Sequence, residues 1–285
     1  MHKPTAFRQT SRRMALKARF RARPRKPMVS VHRGLWPAFP ENSLSAILAA
    51  RSWDVVEIDV QLDRHGTPYL MHDDTLTRMT GDAHATGVIG PDHRAKLRLK
   101  AGAGGAAEPF TDEPVPTLEQ AFNVLEGSSA AFDLDVKHAE QIDAVGAAVA
   151  DMGHQNMATL KMDVASAEDI AALVALEKRY DIMVMAKLRL QSRDDLALVV
   201  ALREADVAAV EIWFDDLNLL RRATSFAGDL IRFGTYTLDD VHCCGLSDSI
   251  AVKDPGAVWG RLLGAGIGLI MTDRPEALSR YLMTR

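Results

Sequence analysis

The chain has 285 residues, 47% hydrophobic and 25% charged, with a net charge of −4. That is a globular composition, long enough for one barrel-sized domain or two smaller ones. No run of about 18 apolar residues occurs, which excludes a membrane-spanning helix. The cysteines are the adjacent Cys243 and Cys244, which excludes a disulfide framework and suits a reducing, cytoplasmic setting.

In chain order, the first feature is a charge asymmetry. Residues 1–27 hold 10 of the 34 basic residues and no acid, so the rest of the chain sits near −14. This stretch reads as a basic N-terminal arm before a domain spanning residues 28–285. A solvated tail is the plain reading, and contact with nucleic acid or an anionic membrane the sharper one. SRRMALK has the look of a twin-arginine export signal, but the basic ARFRARPRK follows where an apolar stretch is required.

Short apolar runs then recur at intervals that leave room for helices: MVSVH (28–32), VVEIDV (55–60), AAFDLDV (130–136), MATLKM (157–162), IMVMAKL (182–188), VAAVEIW (207–213), LIRFGTY (230–236) and IGLIMT (267–272). Between them, SLSAILAARS (43–52) has Asn42 or Ser43 as N-cap, and TLEQAFNVLEG (117–127) starts at Thr117 and stops at glycine. Residues 140–153, 166–180 and 192–206 also show helical spacing. Eight strands alternating with helices predict a parallel sheet, and eight units in about 250 residues predict a TIM-like (β/α)8 barrel. An open doubly wound sheet lacks here the Gly-rich turn expected after its first strand. Two stretches break the alternation. DRHGTPYLMH turns back as a hairpin and is followed by an insertion, residues 75–114, expected to cap one end of the barrel. Residues 242–260 form an irregular loop where barrel loops shape a pocket, and contain HCCG, a metal motif only if a second ligand pair existed.

VVEIDVQL (55–62) places Glu57 and Asp59 on one side of a strand and Val56, Ile58 and Val60 on the other. Alone, the acids read as a wet sheet face. In a barrel, however, a strand has helices on one side and the lumen on the other. The carboxyl ends of the strands supply His32, Arg33, Glu57, Asp59, His72, Asp135, Lys137, Lys161, Lys187, Glu211 and Tyr236. Glu57, Asp59 and Asp135 together repel unless a cation joins them, and oxygen donors alone select Mg2+ or Ca2+. Arg33 and Lys137 suit a phosphate, and His32 and His72 suit acid/base chemistry. Each also has a plainer reading. The histidines could be structural, Lys137 could pair with Asp135, Lys161, Lys187 and Glu211 could form an internal ion-pair layer, and Tyr236 could be core.

The motifs HRG (32–34), PEN (40–42), EID (57–59), HDDTLTRMTG (72–81), VPTLEQAF (115–122), DLDVK (133–137), TYTLD (235–239) and MTDRP (271–275) together resemble the glycerophosphodiester phosphodiesterase family, from residue 28 to about 282. The resemblance implies a TIM-like barrel with a small insertion after the second strand. It implies metal-dependent hydrolysis of a small-molecule phosphodiester to an alcohol and a phosphomonoester. It makes His32 and His72 the acid/base pair, Glu57 and Asp59 metal ligands, Arg33 and Lys137 phosphate contacts, and Glu41 a site-supporting acid. Two positions depart from the family pattern. Asp135 stands where glutamate is usual, as in sphingomyelinase-D-type relatives, and Tyr236 stands where tryptophan is frequent. They bring in a sugar phosphodiester, as in opine-degrading relatives, as a substrate. They leave a cyclic-phosphate route of the lysophospholipase-D type open, beside a non-catalytic anion-binding barrel tethered by its arm. Nothing in the pattern sets an oligomeric state.

Overall fold

A computed structural model describes residues 11–22 and 26–285. The arm's Lys3, Arg8, Arg23 and Arg25 lie outside the described residues. The apolar runs become strands β1 (Met28–Val31), β2 (Val55–Leu62), β3 (Pro68–Leu70), β4 (Arg98–Lys100), β5 (Phe110–Pro114), β6 (Ala131–Val136), β7 (Ala158–Val164), β8 (Met183–Leu190), β9 (Ala209–Phe214), β10 (Arg232–Tyr236) and β11 (Ile267–Thr272). Eight of them pair in parallel in the order β1-β11-β10-β9-β8-β7-β6-β2, and a β1–β2 pairing closes the barrel. Closure leaves no free edge. Strand β3 turns back antiparallel on β2, as the DRHGTPYLMH turn predicts.

Outward residues such as Val56, Ile58, Val60, Phe132 and Leu160 pack under the helices with Ile47, Phe122 and Val149 in one continuous core. The helices start where side-chain caps are available. Ser43 accepts from the Ala46 amide at 3.1 Å, and Thr117 with Gln120 forms a reciprocal capping box. Gly34, at φ 72°, follows His32 in a turn so tight that a Cβ would lie 2.7 Å from the backbone of Ala46.

The basic stretch differs from a solvated tail. Helix α1 (Arg12–Phe20) docks across the bottom of the barrel. Its Leu16 and Phe20, one turn apart, join Met28, Val55, Ala131, Met183, Ala209 and Leu269 in a buried apolar layer. Its cations have a physical reason to sit there. In this fold the helices' carboxyl ends, the negative ends of their dipoles, ring the bottom face. Lys17 reaches Glu177 at 2.7 Å and the Asp206 carbonyl at 2.9 Å, and Arg21 reaches the Leu230 carbonyl at 2.7 Å. Arg232 from β10 donates to the Phe20 carbonyl at 2.7 Å. Among the described residues, no helix is long and apolar enough to cross a membrane.

The insertion is more structured than its composition predicts. It holds short helices at Thr77–Thr80 and Pro91–Arg94 and the antiparallel pair β4–β5. Its Arg78 and Ala103, with Asp73 just before it, line one side of the barrel mouth.

Candidate active site

The register of β2 and β6 sets the site. Glu57 pairs with Asp133 and Asp59 with Asp135, which stacks two rungs of acids inside the barrel. One carboxylate oxygen each from Glu57, Asp59 and Asp135 lies within 4.8 Å of the others. The shorter side chain of Asp135 therefore still reaches the cluster.

Two cations lean on it. Lys137 Nζ is 2.5 Å from Asp59 and 2.8 Å from Asp135, and Arg33 Nε is 3.1 Å from Asp59. Lys137 and Arg33 overcome the burial of Asp59, and Lys161, Lys137 and Lys187 overcome that of Asp135, so both stay below the usual carboxylate range. Among the described residues, Glu57 receives only the Arg33 amide, at 3.0 Å. Burial, reinforced by Asp59, pushes it up to about 7. The cluster thus remains short of positive charge at Glu57. Three convergent hard oxygen donors with that deficit fit a divalent cation of the Mg2+ or Ca2+ type.

The two histidines come from opposite sides and are held alike. His32 Nδ1 is 2.9 Å from Asp273, which also accepts from the Trp36 indole at 2.5 Å. His72 Nδ1 is 2.7 Å from Asp73. An ionised carboxylate only accepts, so each Nδ1 carries the hydrogen and each Nε2 is left for the mouth. For His32, burial works against the charged form, but the bond to Asp273 and the charge of Glu57 outweigh it and raise its pKa.

Behind these groups runs a network of supports. Buried Glu41 holds Arg33 at 2.9 Å with one oxygen and Arg78 at 2.6 Å with the other. Arg78 in turn holds Asp73 at 2.7 Å and draws it down to about 2. Asn42 clamps Asp59 both ways, donating to its carboxylate at 2.7 Å and accepting from its amide at 3.0 Å. Gln61 donates to the carbonyls of Met71 and Asp73, which fixes the loop bearing His72.

Lys161, Lys187 and Glu211 do not form a single layer. Lys161 lies deep, 3.1 Å from Asp133 and 2.9 Å from Glu211. Burial opposes its charge, yet those two acids hold its pKa far up. Lys187 stands higher and half-exposed, 3.6 Å from Asp135. All three line the mouth, a cavity of about 870 Å³, together with Tyr236, Trp36 and Trp213. Tyr236 does both: half-buried, it packs against the core and faces the mouth.

The loop 242–260 contributes differently from the expectation. The cavity is lined by Leu238, Asp239, Asp240 and Val241, just before it. The loop acts through fully buried Asp248, which accepts from Thr237, Thr272 and the Asp273 amide at 2.5, 2.8 and 2.8 Å. It thereby fixes the residue that holds His32. HCCG assembles no metal ligands: Cys243 is buried 3.6 Å from Thr235, and the Cys244 thiol faces the Phe214 carbonyl.

Sequence reasoning missed the roles of Asp73, Asp273, Arg78, Asn42 and Asp248. The first four lie inside the motifs HDDTLTRMTG, MTDRP and PEN, so a signal existed. Asp248 lies in a loop without periodicity and had none.

Comparison with known proteins agrees with this geometry. A glycerophosphodiester phosphodiesterase of Caldanaerobacter subterraneus is 30% identical over 115 residues, covering 39% of this chain and 46% of that protein. Mouse glycerophosphodiester phosphodiesterase 1 is 34% identical over 116 residues, covering 40% of this chain and 35% of that protein. The matched stretch thus spans less than half the length of these curated relatives. In fold, the chain resembles a glycerophosphoryl diester phosphodiesterase of Parabacteroides distasonis, with a TM-score of 0.71 at 17% identity, covering 94% and 90% of the two chains. It also resembles an Oleispira antarctica phosphodiesterase solved with its product sn-glycerol-3-phosphate, with a TM-score of 0.67 at 21% identity, covering 91% and 98%. The profile of the glycerophosphoryl diester phosphodiesterase family matches residues 32–277, and this chain belongs to that family.

Proposed function

We propose that the protein hydrolyses a glycerophosphodiester, or a related sugar phosphodiester, to an alcohol and a phosphomonoester, using one divalent cation, Mg2+ or Ca2+. One observation carries the reading: two imidazoles, each anchored through Nδ1 by its own carboxylate, share one mouth with the Glu57–Asp59–Asp135 cluster. The Oleispira relative, bound to a phosphomonoester product, supports the direction of cleavage.

Glu57, Asp59 and Asp135 would hold the cation, which when bound would polarise the phosphoryl oxygens and offset the charge that develops on them. Arg33, fixed by Glu41, and Lys137 bring positive charge to the same oxygens. One of His32 and His72 takes the proton of the nucleophile and the other protonates the leaving alcohol. Asp273 and Asp73 stabilise whichever ring is charged and keep each Nε2 aimed inward. Lys187 and Tyr236 stand at the rim where the alcohol portion would lie. Lys161 and Glu211 support this ring from below.

A panel of glycerophosphodiesters, lysophospholipids and sugar phosphodiesters, assayed with Mg2+, with Ca2+ and with EDTA, tests the reading. Turnover of a glycerophosphodiester or sugar phosphodiester with metal, lost in EDTA, is expected. Turnover that persists in EDTA, or no turnover with either metal, overturns it.

A further inference from the structure

A second convergence of metal-ligand atoms lies in the insertion. Asp82 follows the helix Thr77–Thr80 and its glycine cap, His84 stands two residues on, and His93 sits on the helix Pro91–Arg94. One donor atom from each lies within 4.8 Å of the others. The two oxygens of Asp82 meet His84 Nδ1 at 2.5 Å and His93 Nε2 at 2.7 Å. The rings stand edge to face, 78° apart with centroids at 4.9 Å. The adjoining cavity, about 820 Å³, is also lined by His65 and Asp92 and shares no lining residue with the barrel mouth.

We propose that Asp82, His84 and His93 form a second metal site, for Zn2+ or a similar borderline transition metal, with a coordination position open to solvent. Two imidazoles and one carboxylate are the donors such ions select, whereas the oxygen-only cluster of the mouth selects harder ions. Tetrahedral zinc places its donor atoms about 3.3 Å apart, given zinc–ligand bonds of about 2.0–2.2 Å. The two Asp82–imidazole contacts, at 2.5 and 2.7 Å, need only lengthen to about that spacing to admit it, and the exposed His84 has room to move. The site has a mechanical consequence. Leu76 donates to the His84 carbonyl at 3.0 Å and Thr86 to the Asp74 carbonyl at 3.0 Å. The loop bearing His84 is therefore knitted to the segment that starts at His72. A metal joining residues 82–93 would staple that segment in place.

Equilibrium dialysis of the metal-stripped full-length chain against Zn2+ in large excess of Mg2+ tests this. The excess Mg2+ competes for the oxygen-only cluster of the mouth, and the wild type is expected to retain one zinc per chain that Mg2+ does not displace. His84→Gln and His93→Gln are each expected to lose it, and His65→Gln to keep it. In the wild type alone, the ring nitrogens of His84 and His93 are expected to shift together in NMR spectra on zinc addition. No zinc retained by the wild type, equal retention by the His84 and His93 variants, or zinc shifts confined to other histidines would overturn the proposal.

Discussion

At the bottom of the barrel, the inward positions hold Met28, Val55, Ala131, Met183, Ala209 and Leu269, sealed by Leu16 and Phe20 of α1. At the top, the same strands and the turns that follow them present His32, Asp59, Asp135, Lys187 and Tyr236. Between them lies one ionic rung, Asp133–Lys161–Glu211. Inward position therefore does not fix a residue's task; height along the strand does. Apolar side chains at the bottom exclude water and contribute stability. The charged groups at the top are tolerable because each has a partner and water is near. The middle rung is the costly one, since burial there pushes Asp133 up to about 6 even beside Lys161.

The contrast can be broken from either end. The largest expected effect is at the top: His32→Ala and His72→Ala each lower kcat/KM for a phosphodiester by roughly 10²–10⁴, with little change in the unfolding midpoint. Near-normal metal-dependent turnover in both variants would remove these residues from the chemistry. At the bottom the pattern reverses. Phe20→Ala empties a fully buried site and is expected to lose about 3–5 kcal/mol of stability in denaturant titration. Its kcat/KM per folded molecule stays unchanged. Lys161→Met tests the middle rung by leaving Asp133 and Glu211 without their cation. A loss of about 3 kcal/mol with a smaller change in kcat/KM assigns the rung to the scaffold; a dominant kinetic defect assigns it to the chemistry. The smallest effect is at the rim. The hydrogen bond from Arg78 is the chief cause that holds Asp73 down to about 2, against about 3.9 when unfolded. Its contribution is present above about pH 4 and fades as pH falls towards 2. Asp73→Asn should flatten that part of the stability–pH curve, measured by thermal unfolding in acid.

Much of this was legible in the residues. The eight strands and their closure follow from spacing, because parallel strands buried on both faces must be apolar outward and the chain repeats them regularly. Glu57 and Asp59 follow from alternation and Asp135 from its place at a strand end; the register that aligns them appears only in the fold. The supports were harder to read. Asp273 and Asp73 each lie next to other acids or in loops, and nothing local says which carboxylate meets an imidazole. Helix α1 was hidden for another reason. Its apolar pair Leu16 and Phe20 is a one-turn signal, outnumbered by cations whose partners, Glu177 and Asp206, are distant in sequence. Helix dipoles that gather only after closure explain those cations, and no window of sequence contains them.

The long reach of these contacts governs how the protein can be made. His32 and Asp273 are 241 positions apart, and the Phe20 carbonyl meets Arg232, 212 positions on. In a chain emerging from the ribosome, the seat of Leu16 and Phe20 therefore stays incomplete until β10 and β11 have been made, because Arg232 and Leu269 belong to it. His32 acquires its carboxylate later still. The pairing of His32 with its carboxylate is thus withheld until residue 273 has been translated.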